Sequence, residues 1–102
     1  MAKGYWIARM DVNDPDGYQE YVALNRAPLA AFGARFVVRG GTFEAPEGAA
    51  RARNVIVEFP SVQAAIDCYN SQEYQAAVAV RKKYAEGEVV IIEGYAGPQP
   101  GE

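Results

Sequence analysis

Arg53-Asn54-Val55-Ile56-Val57-Glu58-Phe59-Pro60-Ser61 reads as a strand that runs straight into a helix start. Val55 to Phe59 favour or tolerate extended backbone, and Pro60-Ser61 stops the strand and supplies a cap. Alternation puts Val55, Val57 and Phe59 on one face and Asn54, Ile56 and Glu58 on the other. A strand with one apolar and one mixed face takes helices on the first side only. What the mixed side touches is then a matter of assembly or function.

Towards the N-terminus, Lys3 to Val12 alternates likewise, with Trp6, Ala8 and Met10 opposite Tyr5, Ile7, Arg9 and Asp11. Asp14-Pro15 is an N-cap with proline at the first helical position, and the helix is expected to reach Phe32 and stop at Gly33. Tyr18, Val22, Leu29 and Phe32 form its inward stripe, flanked by Tyr21, and Asn25 falls inside that stripe. Pro28 deprives the Leu24 carbonyl of its usual donor, so a kink is expected. Arg35 to Arg39 is a second strand, with Phe36 and Val38 opposite Arg35, Val37 and Arg39. Gly40-Gly41 suits a tight hairpin turn, but a bulge is preferred there, with Thr42-Phe43-Glu44 prolonging the strand and Pro46-Glu47-Gly48 turning it. Ala45 to Ala52 is then expected to be a mobile loop.

Towards the C-terminus, Ser61 caps a short helix whose inward residues are Val62, Ala65, Ile66 and Tyr69. Asn70-Ser71 breaks it, and Ser71 caps a further helix expected from Gln72 to Glu86 and ended by Gly87. Tyr74, Ala77, Val78 and Ala85 turn inward there, and the stripe also captures Arg81. Glu88 to Tyr95 is the last strand, with Val90 and Ile92 opposed to Val89, Ile91, Glu93 and Tyr95. Strand, helix, strand, strand, helices, strand predicts an α+β fold: a ferredoxin-like βαββαβ unit with a four-stranded antiparallel sheet and helices on one face. The expected strand order is fourth, first, third, second. Residues 1–97 are expected to form one domain, and 98–102 a flexible tail.

With 102 residues, half of them apolar, the chain supports one core. A formal net charge of −3 argues against nucleic acid or a polybasic membrane patch as partner. No apolar run approaches the ~20 residues of a membrane span, and the first residues lack the apolar region of a signal peptide. A single cysteine, Cys68, suits a reducing compartment, so a cytoplasmic location is expected. The chain has no His, which makes zinc, copper, haem and Ser-His chemistry poor expectations; no metal and no cofactor is predicted.

Collected by parity, one sheet face carries Trp6, Ala8, Met10, Phe36, Val38, Val55, Val57, Phe59, Val90 and Ile92, the helix-covered core. The other mixes Tyr5, Ile7, Val37, Ile56, Val89, Ile91 and Tyr95 with Arg9, Arg39, Glu58 and Glu93. A solvated face is more polar than this, and a monomer core does not hold four charges. Across the strands the charges read Glu93, Arg9, Glu58, Arg39, alternating in sign, and the face is expected to pack on that of a second copy as a homodimer.

Lys3-Gly-Tyr-Trp-Ile-Ala, the Asp14-Pro helix start, Arg39-Gly-Gly, Glu58-Phe-Pro-Ser, Tyr69-x-Ser-x-Glu-Tyr-Gln and Glu93-Gly-Tyr occur in order between about Lys3 and Gly97. Together they resemble the domain-of-unknown-function family 1330, which belongs with the dimeric α+β barrels. The resemblance implies that fold and a barrel-type dimer, and implies no reaction.

Asn25 and Arg81 are polar residues on inward stripes, and Tyr69 and Tyr74 come from the same helical layer. Together they are candidates to line a pocket between helices and sheet for a small organic ligand. The structural alternatives are that Asn25 repairs backbone bonds near Pro28 and that Arg81 snorkels from the helix edge. Arg39 and Glu58 are candidates on the open face, Arg39 because Gly40-Gly41 allows close approach; an interface ion pair is the competing reading. No catalytic residue is assigned. The expected function is binding of a small organic molecule; the alternative is a cofactor-independent oxygenase or isomerase acting on a small, partly aromatic substrate, with Tyr or carboxylate moving protons and Arg or Asn steadying an oxyanion.

Overall fold

The computed structural model describes residues 2–102. Strand β1 (Gly4–Val12) leads into α1 (Pro15–Ala31), then β2 (Arg35–Arg39), β3 (Arg53–Phe59), α2 (Val62–Asn70), α3 (Gln72–Tyr84) and β4 (Ala85–Glu93). The four strands form one open antiparallel sheet in the order β2-β3-β1-β4. This is the ferredoxin-like arrangement expected from the element order.

Local chemistry sets the helix ends. The Asp14 side chain accepts from Gly17 N at 3.1 Å, and Pro15 follows where a missing N–H costs nothing. Gly33, at φ 73°, takes the left-handed position just beyond α1. Ser61 Oγ accepts from Ala64 N at 3.0 Å at the start of α2. Ser71 serves two helices, its hydroxyl donating to Cys68 O at 2.7 Å and accepting from Tyr74 N at 3.2 Å.

Trp6, Val57 and Phe59 from the sheet meet Tyr18, Tyr21 and Leu29 of α1, Ala65 and Cys68 of α2, and Tyr74, Ala77 and Val78 of α3 in one buried cluster. Each fully buried large apolar side chain contributes about 1.5–3 kcal/mol, so these residues carry the fold.

Three local expectations are corrected. First, α3 ends at Tyr84 and β4 begins at once at Ala85, so Gly87 is a strand residue and not the helix stop. Pairing with β1 draws these residues into the sheet: Ala85 lies opposite Val12, and Gly87 opposite Met10. An added Cβ at Gly87 would run into the Arg9 carbonyl oxygen and sit 2.8 Å from Met10 Sδ, so only glycine fits there. Second, the same register inverts the expected parity of β4. Ile91 lies opposite Trp6 and Val89 opposite Ala8 on the helix-covered face, while Val90 and Ile92 lie on the open face, 50% and 48% exposed. Glu93, opposite Gly4, therefore leaves the open face. Third, the irregularity in β2 falls at Val37, between the pairs Phe36–Val57 and Val38–Ile56, and not at Gly40-Gly41. Thr42-Phe43-Glu44 adds no strand. The bulge turns Val38 to the open face and Arg39 to the helix side.

The predicted alternation of Glu93, Arg9, Glu58 and Arg39 is therefore not what the sheet presents. Its open face carries an apolar row in register, Val90–Ile7–Ile56–Val38, one residue from each strand. Beside it runs Ile92–Tyr5–Glu58–Arg35, and on its other side Glu88–Arg9–Asn54.

Candidate functional site

Between α1, α3 and the sheet lies a cavity of about 30 Å³, room for about two waters. Each element contributes through its inward period. From α1 come Tyr18, Tyr21 and Asn25; from α3, Tyr74 and Arg81; from the sheet, Arg39 and Arg53. Arg53 shares the parity of Val55 and Val57 and pairs with Met10, which points it under the helices.

Asn25 and Arg81 are each only 6% exposed, as their stripe positions require. Arg81 Nη1 donates to Tyr74 Oη at 3.0 Å and to Tyr21 Oη at 3.4 Å, and those two phenol oxygens are 2.5 Å apart. The guanidinium also lies over the Tyr21 ring, 5.2 Å from its centroid. Its acceptors are thus neutral, and no carboxylate lines the cavity. A buried charge without a counter-ion costs several kcal/mol, only partly offset by these contacts.

The two phenols have two O–H groups, but the Tyr21–Tyr74 contact uses one, and Arg81 cannot accept the other. Burial holds the Tyr74 and Tyr18 phenols above their ordinary range, so both stay protonated at neutral pH. Burial also works against the Arg81 charge, yet the neighbouring Tyr74 and Tyr21 oxygens outweigh it and the guanidinium stays charged. Arg53 Nε and Asn25 Oδ1 are both buried and without a partner among the described residues. The cavity therefore holds a surplus of donors and positive charge, together with one unmet acceptor.

Of the residues singled out in the sequence, Asn25, Arg39, Tyr74 and Arg81 meet at this cavity. Arg39 reaches it because of the bulge, with its guanidinium 4.0 Å above the Phe36 ring. Tyr69 packs against Trp6 and Tyr74, at centroid distances of 5.9 and 5.6 Å, but does not line the space. Glu58 stays on the open face, where it accepts from Tyr5 Oη at 3.1 Å and pairs with Lys3 Nζ at 3.3 Å. The Tyr5 hydrogen bond, then Lys3 and Arg35, hold its carboxyl below the usual range. An Arg39–Glu58 pair does not form within the chain, because the two residues lie on opposite faces. Sequence reasoning missed Arg53, Tyr18 and Tyr21 as site residues; parity with Val55 marks the first, and the inward stripe marks the tyrosines.

A second, shallower groove of about 390 Å³ runs between α1 and β2. It shares Val22, Leu29, Phe36 and Arg39 with the cavity and adds Arg26. These four shared side chains are the wall between the two spaces.

The sequence profile described as Domain of unknown function (DUF1330) matches residues 3–95. No curated protein matches the sequence. Among solved structures, a protein of unknown function from Rhodopseudomonas palustris superposes with a TM-score of 0.71 at 16% identity, over 94% of this chain and 85% of that one. SnoaB, a cofactor-independent oxygenase from Streptomyces nogalater, gives a TM-score of 0.66 at 13% identity, over 98% and 97%. A dimeric ferredoxin-like protein of unknown function from Thermobifida fusca gives 0.58 at 15% identity, over 90% and 89%. At these identities the likeness is one of fold.

Proposed function

The chain belongs to the DUF1330 family, and on that premise we propose that it binds a small organic anion with an apolar body in the cavity under α1 and α3. The observation that carries this is the lining: three guanidiniums, from Arg39, Arg53 and Arg81, no carboxylate, and otherwise mainly aromatic and aliphatic walls. In a chain with more acidic than basic residues, that segregation of charge is not composition at work. A carboxylate on the ligand would accept hydrogen bonds from the spare phenol O–H and from Arg53 Nε–H and supply Arg81 with its missing counter-ion.

An oxygenase or isomerase would find oxyanion donors here but no proton acceptor. The chain has no His, the lining has no carboxylate, and burial holds the Tyr74 and Tyr18 phenols protonated. Binding without turnover is the reading this geometry supports best.

Calorimetry with octanoate and with its neutral counterpart octanol tests the proposal. Octanoate is expected to bind and raise the melting temperature, and octanol is not. Arg81→Met should weaken octanoate about 10- to 100-fold, since a hydrogen bond to a charged group is worth about 1.5–3 kcal/mol. Equal affinity for acid and alcohol, or an Arg81→Met protein that binds as before, would sink the proposal.

The fold neighbours include proteins described as dimeric. We further propose that this chain pairs with a second copy through its open sheet face, bringing the two Val90–Ile7–Ile56–Val38 rows together as an α+β barrel. Val90→Glu puts a charge into that row and is expected to yield a monomer by light scattering at micromolar concentration, where the unaltered chain is a dimer. A dimer unaffected by Val90→Glu places the interface elsewhere. Among the described residues no helix is long and apolar enough to cross a membrane. Buried Cys68, its thiol pushed up to about 12 by burial, is consistent with a proposed cytoplasmic location.

A further inference from the structure

The inner cavity is too small for the ligand its chemistry asks for. Room for about two waters holds a carboxylate head, whereas ligand sites commonly run to some 300–1,000 Å³. The missing volume lies next door, in the α1–β2 groove of about 390 Å³ behind Val22, Leu29, Phe36 and Arg39. That groove repeats the charge pattern of the cavity. It is lined by Arg26 and Arg39, and again by no carboxylate. Among the described residues the ion pairs are Lys3–Glu58, Arg51–Asp11 and Arg51–Glu88, so none of Arg26, Arg39, Arg53 and Arg81 has an acidic partner. Four of the chain's ten basic residues therefore follow one path from the groove to the buried phenols, in a protein of net charge −3.

From this path we infer that the ligand is a dianion with an apolar middle: one carboxylate on Arg81 and Arg53 inside, the other on Arg39 and Arg26 in the groove. The inference rests on the proposed anion site and adds its second pole. The apolar middle crosses the wall, where Val22, Leu29 and Phe36 supply only hydrocarbon and ring surface. The strand that carries this wall suits the crossing, because β2 is an edge strand, bulged at Val37 and exposed along its whole length. Phe36 and Arg39 can shift there without breaking a buried ladder. The outer carboxylate stays near water, so its contacts are weak and sensitive to salt.

Calorimetry on the full chain with matched pairs, octanoate against suberate and decanoate against sebacate, tests the second pole. The diacid is expected to bind about fivefold more tightly than its monoacid in at least one pair, with the advantage fading at high salt. Arg26→Ala, a change at an exposed helix position, should bring the diacid-to-monoacid ratio close to one. Monoacids that bind while neither diacid gains, or a gain that survives Arg26→Ala, overturn the dianion and leave the anion site standing. If no acid binds at all, the anion site itself is refuted and the dianion with it.

Discussion

Trp6→Ala is expected to remove about 3–5 kcal/mol of folding free energy, read by urea unfolding. Trp6 is 3% exposed, its Nε1–H donates to Ala65 O at 2.9 Å, and its ring lies 4.8 Å from Phe59 and 4.7 Å from Tyr74 between centroids. It thus ties β1 to β3, α2 and α3 at one point. A domain of this size holds only about 5–15 kcal/mol in total, so the variant should lose a large share of its stability and unfold at a much lower urea concentration. Trp6→Phe keeps most of the ring contacts and loses the hydrogen bond, so it should cost well under half as much. A loss below about 1 kcal/mol for Trp6→Ala would mean that the cluster repacks around the gap.

Gly87→Val ranks next, at about 3 kcal/mol or more, the upper end for forcing atoms into a filled space. The first side-chain carbon would collide with the Arg9 carbonyl of β1, a backbone atom that cannot swing aside, and with Met10 Sδ. Valine itself favours strands, so intrinsic propensity predicts a neutral or stabilising change. Urea unfolding of the variant separates the two outcomes. A protein as stable as the original would show that β4 does not pair with β1 in this register.

That same glycine shows where sequence reasoning ran out. Gly87 after a helical stripe has the look of a C-cap, and nothing local says that the strand has already begun two residues earlier. In β4, Val89, Val90, Ile91 and Ile92 are all apolar, so hydrophobicity cannot choose a face; the pattern of Ala85 and Gly87 against Glu86 and Glu88 could have. In β2, Val37 and Val38 are interchangeable to the eye, and the bulge that separates them is imposed by pairing with β3. The caps at Asp14, Ser61 and Ser71 were legible because each rests on residues three apart in sequence, and the strand order because the succession of strands and helices fits the split βαβ topology. So were Asn25 and Arg81, polar residues on otherwise apolar stripes. The meeting of Tyr21 with Tyr74 was not, since it depends on how α1 lies against α3, a contact between residues far apart in the chain.

Trp6 is the only tryptophan among the chain's twelve aromatic residues, and its side chain forms part of the cavity wall. The near-ultraviolet emission of the chain consequently has a single indole source, placed beside the space where a ligand would sit and within energy-transfer reach of Tyr69 and Tyr74. Anything that enters changes the surroundings of that one chromophore. The molecule carries its own optical gauge of occupancy, free of labels and of competing indoles, and the colour of its light reports on the site and not on the surface.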